Sequence, residues 1–217
     1  PWVEEYRKFE ETHTNPDRLV ASLFKDKYFI LKKVNPKELM WGMYWVASDM
    51  QNAETKVSFY DLFKGQELFD LWQCVNYRFY VGNANHADGK GIVVANAKSL
   101  LRNILDSADE AIRKGGIAAT LRFGHDGNVI PLVALMQIEN CNVAVSDPYE
   151  VYKVWSDFKV VPMAANVQII FFRNEKSNDI LVKIMHNENE VHIPVQTDMF
   201  PYYRWRDVEN YYRGMLK

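Results

Sequence analysis

The chain has 217 residues, 48% apolar and 25% charged, enough to bury one sizeable core with a smaller appended lobe, and its composition gives no sign of disorder. A formal charge of −2, with the signs interspersed, argues against a general nucleic-acid binder but leaves room for a local basic pocket that takes a small polyanion. No apolar run is long enough to span a bilayer, and Cys74 and Cys141 make neither a zinc pattern nor a disulfide framework.

Up to about residue 85 the chain reads as all-helical. Helices are expected from Trp2 to about Thr12, in "NPDRLVASLF" with Asn15 as cap and Pro16 in the first turn, in "NPKELMWGMYWVASDM" with the same Asn-Pro start, and from about Gln66 to Val81. Trp41, Tyr44, Trp45, Phe59, Phe63, Phe69 and Trp72 make this part aromatic-rich, which reads as core packing. The cluster Lys25, Lys27, Lys32 and Lys33 reads as solvated surface. "GNANHADGKG" follows as a loop. A helix is then expected in which Val93, Ala97, Leu100, Leu101, Ile104, Ala108 and Ile112 hold one face until Gly115 and Gly116 stop it.

The next stretch, "IAATLRFGHDGNVIPLVALM", changes period in its middle. Alternation of Ile117, Ala119, Leu121 and Phe123 predicts a strand, and Val129, Leu132, Val133 and Met136 predict a helix that tolerates Pro131 near its start. His125 and Asp126 therefore fall at the carboxyl end of a strand and the amino end of a helix, where open α/β sheets bind ligands and unpaired N–H groups favour an anion. Gly124 and Gly127 let a ligand approach the backbone. Taken alone, Asp126 also reads as an ordinary helix cap and His125 as a structural histidine.

Beyond this lie a mixed segment with "SDPYEVYKVW", a strand "NVQIIFFR", a turn "NEKSND", a strand "ILVKIMH", a short "EVHI" and a helix from about Trp205 to Met215. The two long strands predict an antiparallel hairpin. The organisation expected is a helical cap region at 1–85 and an α/β region with a mixed sheet flanked by helices at 86–217.

The helix "VVANAKSLLRNIL", then "TLRFGHDGNVIPLVALM", "VVPMAANVQIIFFR" and "LVKIMHNENEVHIP" resemble the carboxyl half of a histidine acid phosphatase of the phytase branch, above all the multiple inositol polyphosphate phosphatases. The likeness covers nearly all of residues 56–217, including Pro162, Ala164 and Asn166 ahead of the strand, while residues 1–55 match only as helical cap. It implies a phosphomonoester hydrolase that forms a phosphohistidine intermediate, acts on phosphorylated small molecules such as phytate-like inositol polyphosphates, and is periplasmic or secreted. His125 matches the histidine that donates to the transferring phosphoryl group, and Asp126 the acid that protonates the leaving oxygen. Such an acid is worth a factor of roughly 10² to 10⁴. No metal or other cofactor is required, and a metal-dependent phosphohydrolase would need further ligands on facing helices.

The family's nucleophile lies in an Arg-His-Gly-x-Arg motif, and no "RHG" occurs in this chain. His13, His86, His186 and His192 have no such context. Together with a first residue that is Pro1 rather than Met, this leads us to expect a carboxyl-terminal portion, inactive without its amino-terminal half, whose strand would pair with 117–123. The alternative is a self-sufficient domain in which strands such as 167–173 flank 117–123. His125-Asp126-Gly127 also stands where close relatives often read His-Ala-Glu, a phytase-type proton donor that leaves positional specificity on the inositol ring open. Arg122, three residues before His125, is a candidate phosphate ligand, with a salt bridge under a helix as its alternative. Arg78 and Lys90 flank the loop after the cap and could hold a polyphosphate, and Asn128 could offer its side chain or N–H at the helix start. Rival functions are a non-catalytic phosphate-ligand binding protein of the same fold and an acid phosphatase of broad specificity.

Overall fold

Two Asn-Pro sequences begin helices as expected, each by giving a side-chain oxygen to backbone N–H groups that the helix leaves unpaired. Asn15 accepts from the Asp17 N–H at 3.1 Å ahead of α2 (Asp17–Leu23), and Asn35 accepts from Lys37 and Glu38 at the start of α4 (Pro36–Asp49). The computed structural model describes residues 2–174, 176, 177 and 179–217, so Pro1 and two residues of the expected "NEKSND" turn, Glu175 and Asn178, lie outside the described residues. With α1 (Trp2–His13), α3 (Lys27–Leu31) and α5 (Gly65–Asn83) the first part is helical, α3 being an element the sequence reading leaves out. The chain divides into two units, Pro1–Arg78 and Phe79–Lys217, with the division inside α5.

The first unit is built round Leu19, Met40, Tyr44, Ala47, Phe63 and Leu71, with Trp41 and Phe59 packed against them. Trp45 and Phe69 depart from the expected core role, being 46% and 37% exposed. Arg18 forks onto Glu67 at 2.6 and 2.5 Å and reaches the Leu62 carbonyl, fastening α2 to the start of α5.

In the second unit the helix expected across Val93–Ile112 is two helices, α6 (Ile92–Ala95) and α7 (Lys98–Lys114). The backbone tightens between them, where Asn96 and Ala97 bond three residues back instead of four, before Leu101, Leu105 and Ala108 begin a buried stripe. Gly115, at φ 68°, ends α7 as expected.

The strand expected at 117–123 is absent. Those residues have no regular structure and are exposed throughout, with Leu121 75% and Phe123 93% exposed. Alternation of side chains is necessary for a strand but does not supply its hydrogen bonds, and among the described residues no strand lies beside this segment. It leads into α8 (Asp126–Leu135), whose residues Ile130–Leu135 are all buried. Pro131 falls in the second turn, not the first, so the helix forgoes a bond to the Gly127 carbonyl.

The segment with "SDPYEVYKVW" resolves into α9 (Pro148–Val154), capped by Asp147 on the Tyr149 N–H, and α10 (Asp157–Val160). β1 (Val167–Arg173) and β2 (Ile180–His186) form the expected antiparallel hairpin, running from Val167 opposite His186 to Arg173 opposite Ile180. β2 also pairs antiparallel with the short β3 (Asn189–Glu190) and with β4 (Tyr202–Arg204), which the sequence reading omits. Every pairing among the described residues is thus antiparallel. On β2, Val182, Ile184 and His186 alternate inward. The final helix, α11 (Trp205–Met215), stands where it is expected and rests on β2 and β4.

Candidate active site

The amino end of α8 is held out from a fixed base. Its buried turns pack on α6 and α7, and its carboxyl end is tied down where the Tyr212 hydroxyl donates to the Met136 carbonyl at 2.9 Å and Tyr211 donates to Gln137 at 3.0 Å. His125 has extended backbone, and its N–H donates to Oδ1 of Asn128 at 3.3 Å, half of a capping arrangement. The Gly127 N–H donates to Oδ1 of Asp126 at 2.7 Å. Residues 125–128 are all exposed, so imidazole and carboxyl stand side by side in solvent at the positive end of a helix dipole.

Bulk is kept away from this end. A Cβ on Gly124 would lie 3.3 Å from Oδ1 of Asn128, tighter than usual, whereas one on Gly127 would make only ordinary contact, 3.5 Å from Oδ1 of Asn83. Asn83, whose amide donates to the Phe79 carbonyl, is a neighbour that the sequence reading overlooks. It sits at the last turn of α5, far along the chain, and only its position in the fold brings it to the glycine. Tyr80, one turn earlier on α5, ties the helix to residues 143–145: its hydroxyl donates to the Val143 carbonyl at 2.9 Å and accepts from the Val145 N–H at 2.7 Å. Burial raises that phenol's pKa, so it remains a donor.

The other candidates are placed differently. Arg122 is engaged by α7: its guanidinium donates to Oδ1 of Asn103 and to Oγ of Ser107, both at 2.8 Å, and pins the exposed segment to that helix. Lys90 is exposed in left-handed backbone beside Gly91. Arg78 is exposed on α5 as the last residue of the first unit. Asn128 serves the helix start. The structure thus brings His125, Asp126 and Asn128 together, and no hydrogen bond among the described residues joins Lys90 or Arg122 to them.

Two other polar clusters do different work. A cavity of about 160 Å³ in the first unit is lined by His13, Asn15, Arg18, Glu67 and Asp70, but Arg18 and Glu67 neutralise each other, which leaves no net cation for a phosphate. In the second unit Nδ1 of His186 lies 3.7 Å from Sγ of Cys141, and both residues are buried. Burial pushes the thiol up to about 12, so this pair is no thiolate nucleophile.

A model of the histidine phosphatase superfamily (branch 2) matches residues 6–187, and the chain belongs to that family. No curated protein matches it. Among solved structures, the multiple inositol polyphosphate phosphatase of Bifidobacterium longum in its phosphate complex is 22% identical, covering 84% of this chain and 40% of that one with a TM-score of 0.69. Its apo form is 22% identical, covering 80% and 38% with a TM-score of 0.67. Its complex with inositol hexasulfate is 25% identical, covering 80% and 37% with a TM-score of 0.65. The chain therefore spans about two fifths of the length of these structures. The resemblance read from "TLRFGHDGNVIPLVALM" and the later strands is borne out, as is an α/β fold of the histidine phosphatase kind.

Proposed function

We propose that the protein hydrolyses phosphomonoesters through a phosphohistidine intermediate, with inositol polyphosphates of the phytate kind as substrates. The observation that carries this reading is the exposed His125-Asp126 pair at the amino end of α8, flanked by glycines, in a chain of the histidine phosphatase superfamily. His125 donates to the equatorial oxygens of the phosphoryl group, where negative charge is concentrated, and the helix dipole acts in the same sense. Asp126 gives its proton to the leaving alkoxide, which would otherwise depart as a strong base. The attacking histidine is supplied by an amino-terminal portion outside these 217 residues, whose strand runs beside 117–123. Lys90 serves an outer phosphate, and the working compartment is the periplasm or the exterior.

The test is Asp126→Asn in the protein carrying the nucleophile. Hydrolysis of alkyl phosphates should fall by roughly 10² to 10⁴, with a far smaller loss on p-nitrophenyl phosphate, whose leaving group needs little protonation. Equal losses on both would make Asp126 a structural or phosphate-positioning residue. Phosphate binding with no turnover would make the protein a binding module.

A further inference from the structure

Helix α3 has the sequence Lys-Tyr-Phe-Ile-Leu and buries none of it. Tyr28 is 84% exposed, Phe29 59% and Leu31 42%. Large apolar side chains contiguous on a surface mark an interaction site more often than a solvated face. Their surroundings are basic: Lys25, Lys32 and Lys33 are exposed, and among the described residues none of the three has a carboxylate within 4.0 Å. Lys27 is partly engaged, 3.3 Å from Asp17. The Lys33 ammonium stands 5.9 Å from the Phe29 ring centroid, so cation and aromatic are one patch. Asp26, the acidic residue of the segment, spends its carboxylate on the Phe29 N–H at 2.9 Å.

We propose that residues 25–33 dock the protein on an anionic lipid surface. Tyr28, Phe29 and Leu31 enter the boundary between headgroups and acyl chains, while Lys25, Lys32 and Lys33 lay their methylene stems alongside and keep their ammonium groups among the lipid phosphates. Charge complementarity selects the occupant's sign, and the outward aromatic ridge selects its form. A small polyanion needs donors converging on a hollow, whereas these lysines flank side chains that project. A nucleic acid presents phosphates and bases but no apolar interior for the projecting Phe29 and Leu31 side chains to enter. This proposal is independent of the phosphatase reading.

The experiment is co-sedimentation of the protein with vesicles of phosphatidylglycerol and phosphatidylcholine in equal parts, beside vesicles of phosphatidylcholine alone. Binding is expected to the mixed vesicles only, weakening as salt is raised. Lys32→Gln and Lys33→Gln should each lower the affinity by roughly fivefold, and the double variant Tyr28→Ser, Phe29→Ser should lose binding while keeping the wild-type far-ultraviolet circular dichroism. Absence of binding, equal binding to neutral vesicles, or variants that sediment like wild type would overturn the proposal. So would release of the vesicle-bound protein by polyphosphate or RNA accompanied by tight binding to that polyanion which the Tyr28, Phe29 variant leaves intact.

Discussion

His186 places a proton-linked equilibrium inside the second unit. Its Nε2–H donates to the Val160 carbonyl at 2.8 Å, which makes Nδ1 the lone-pair nitrogen facing Cys141. Burial lowers the imidazole pKa, outweighing the opposite pull of the Val160 carbonyl. The unfolded chain therefore takes up this proton more readily than the folded one. The stability that the neutral ring contributes is complete above about pH 6.5 and is lost as pH falls from there towards the depressed native value. Denaturant midpoints should drop between about pH 7 and about pH 5, and His186→Gln, which keeps a donor for Val160, should flatten that drop. A variant with the same pH slope as wild type would show that other groups set it. The sequence marks His186 only as a histidine outside any nucleophile motif, because the burial that shifts it comes from residues far away in the chain.

α11 gathers the second unit. Trp205 donates to Asp109 of α7 at 3.0 Å, and Arg213 reaches Asp109 at 2.5 Å and Asp106 at 2.9 Å. Burial alone would raise the Asp109 pKa, but hydrogen bonds from Arg213 and Trp205 bring it below the ordinary carboxylate value. The same helix fixes the base of α8 through Tyr212, which is 1% exposed. Tyr212→Phe leaves the buried Met136 carbonyl without that donor and should cost about 1–3 kcal/mol in equilibrium unfolding. Tyr211→Phe, at a half-buried position, should cost less. Helix α11 itself was legible, since Trp205, Val208 and Tyr212 recur at helical spacing and all point inward. The break between α6 and α7 was not, because an apolar stripe continues across a tightened turn as readily as along a straight helix.

At the scale of the whole chain, the unpaired segment 117–124 decides behaviour in solution. Ile117, Leu121 and Phe123 are 50%, 75% and 93% exposed, and β1 is paired on one side only, by β2, among the described residues. Unpaired backbone beside apolar side chains is a template for another chain. We expect amides 117–124 to exchange nearly as fast as in an unfolded peptide, while β2, paired on both sides, is protected. The double variant Leu121→Ser, Phe123→Ser should reduce concentration-dependent self-association in sedimentation velocity. Association unchanged by that variant would place the sticky surface elsewhere. If the proposed amino-terminal portion pairs here, supplying it should protect these amides.

The sequence by itself determined the elements whose signals are local: Asn-Pro helix starts, the glycine stop of α7, the β1–β2 hairpin, α11, and the family, through His125-Asp126 and the segments around it. Each depends on side chains within a few residues of one another. Tertiary structure alone decided what depends on distant partners. It left 117–123 without ladder bonds although its side chains alternate, gave Arg122 to Asn103 and Ser107 of α7, brought Asn83 to Gly127, and left the apolar residues of α3 in solvent. A strand, an ion contact or a buried face exists only when a second segment completes it, and which segment arrives is a property of the whole chain's packing.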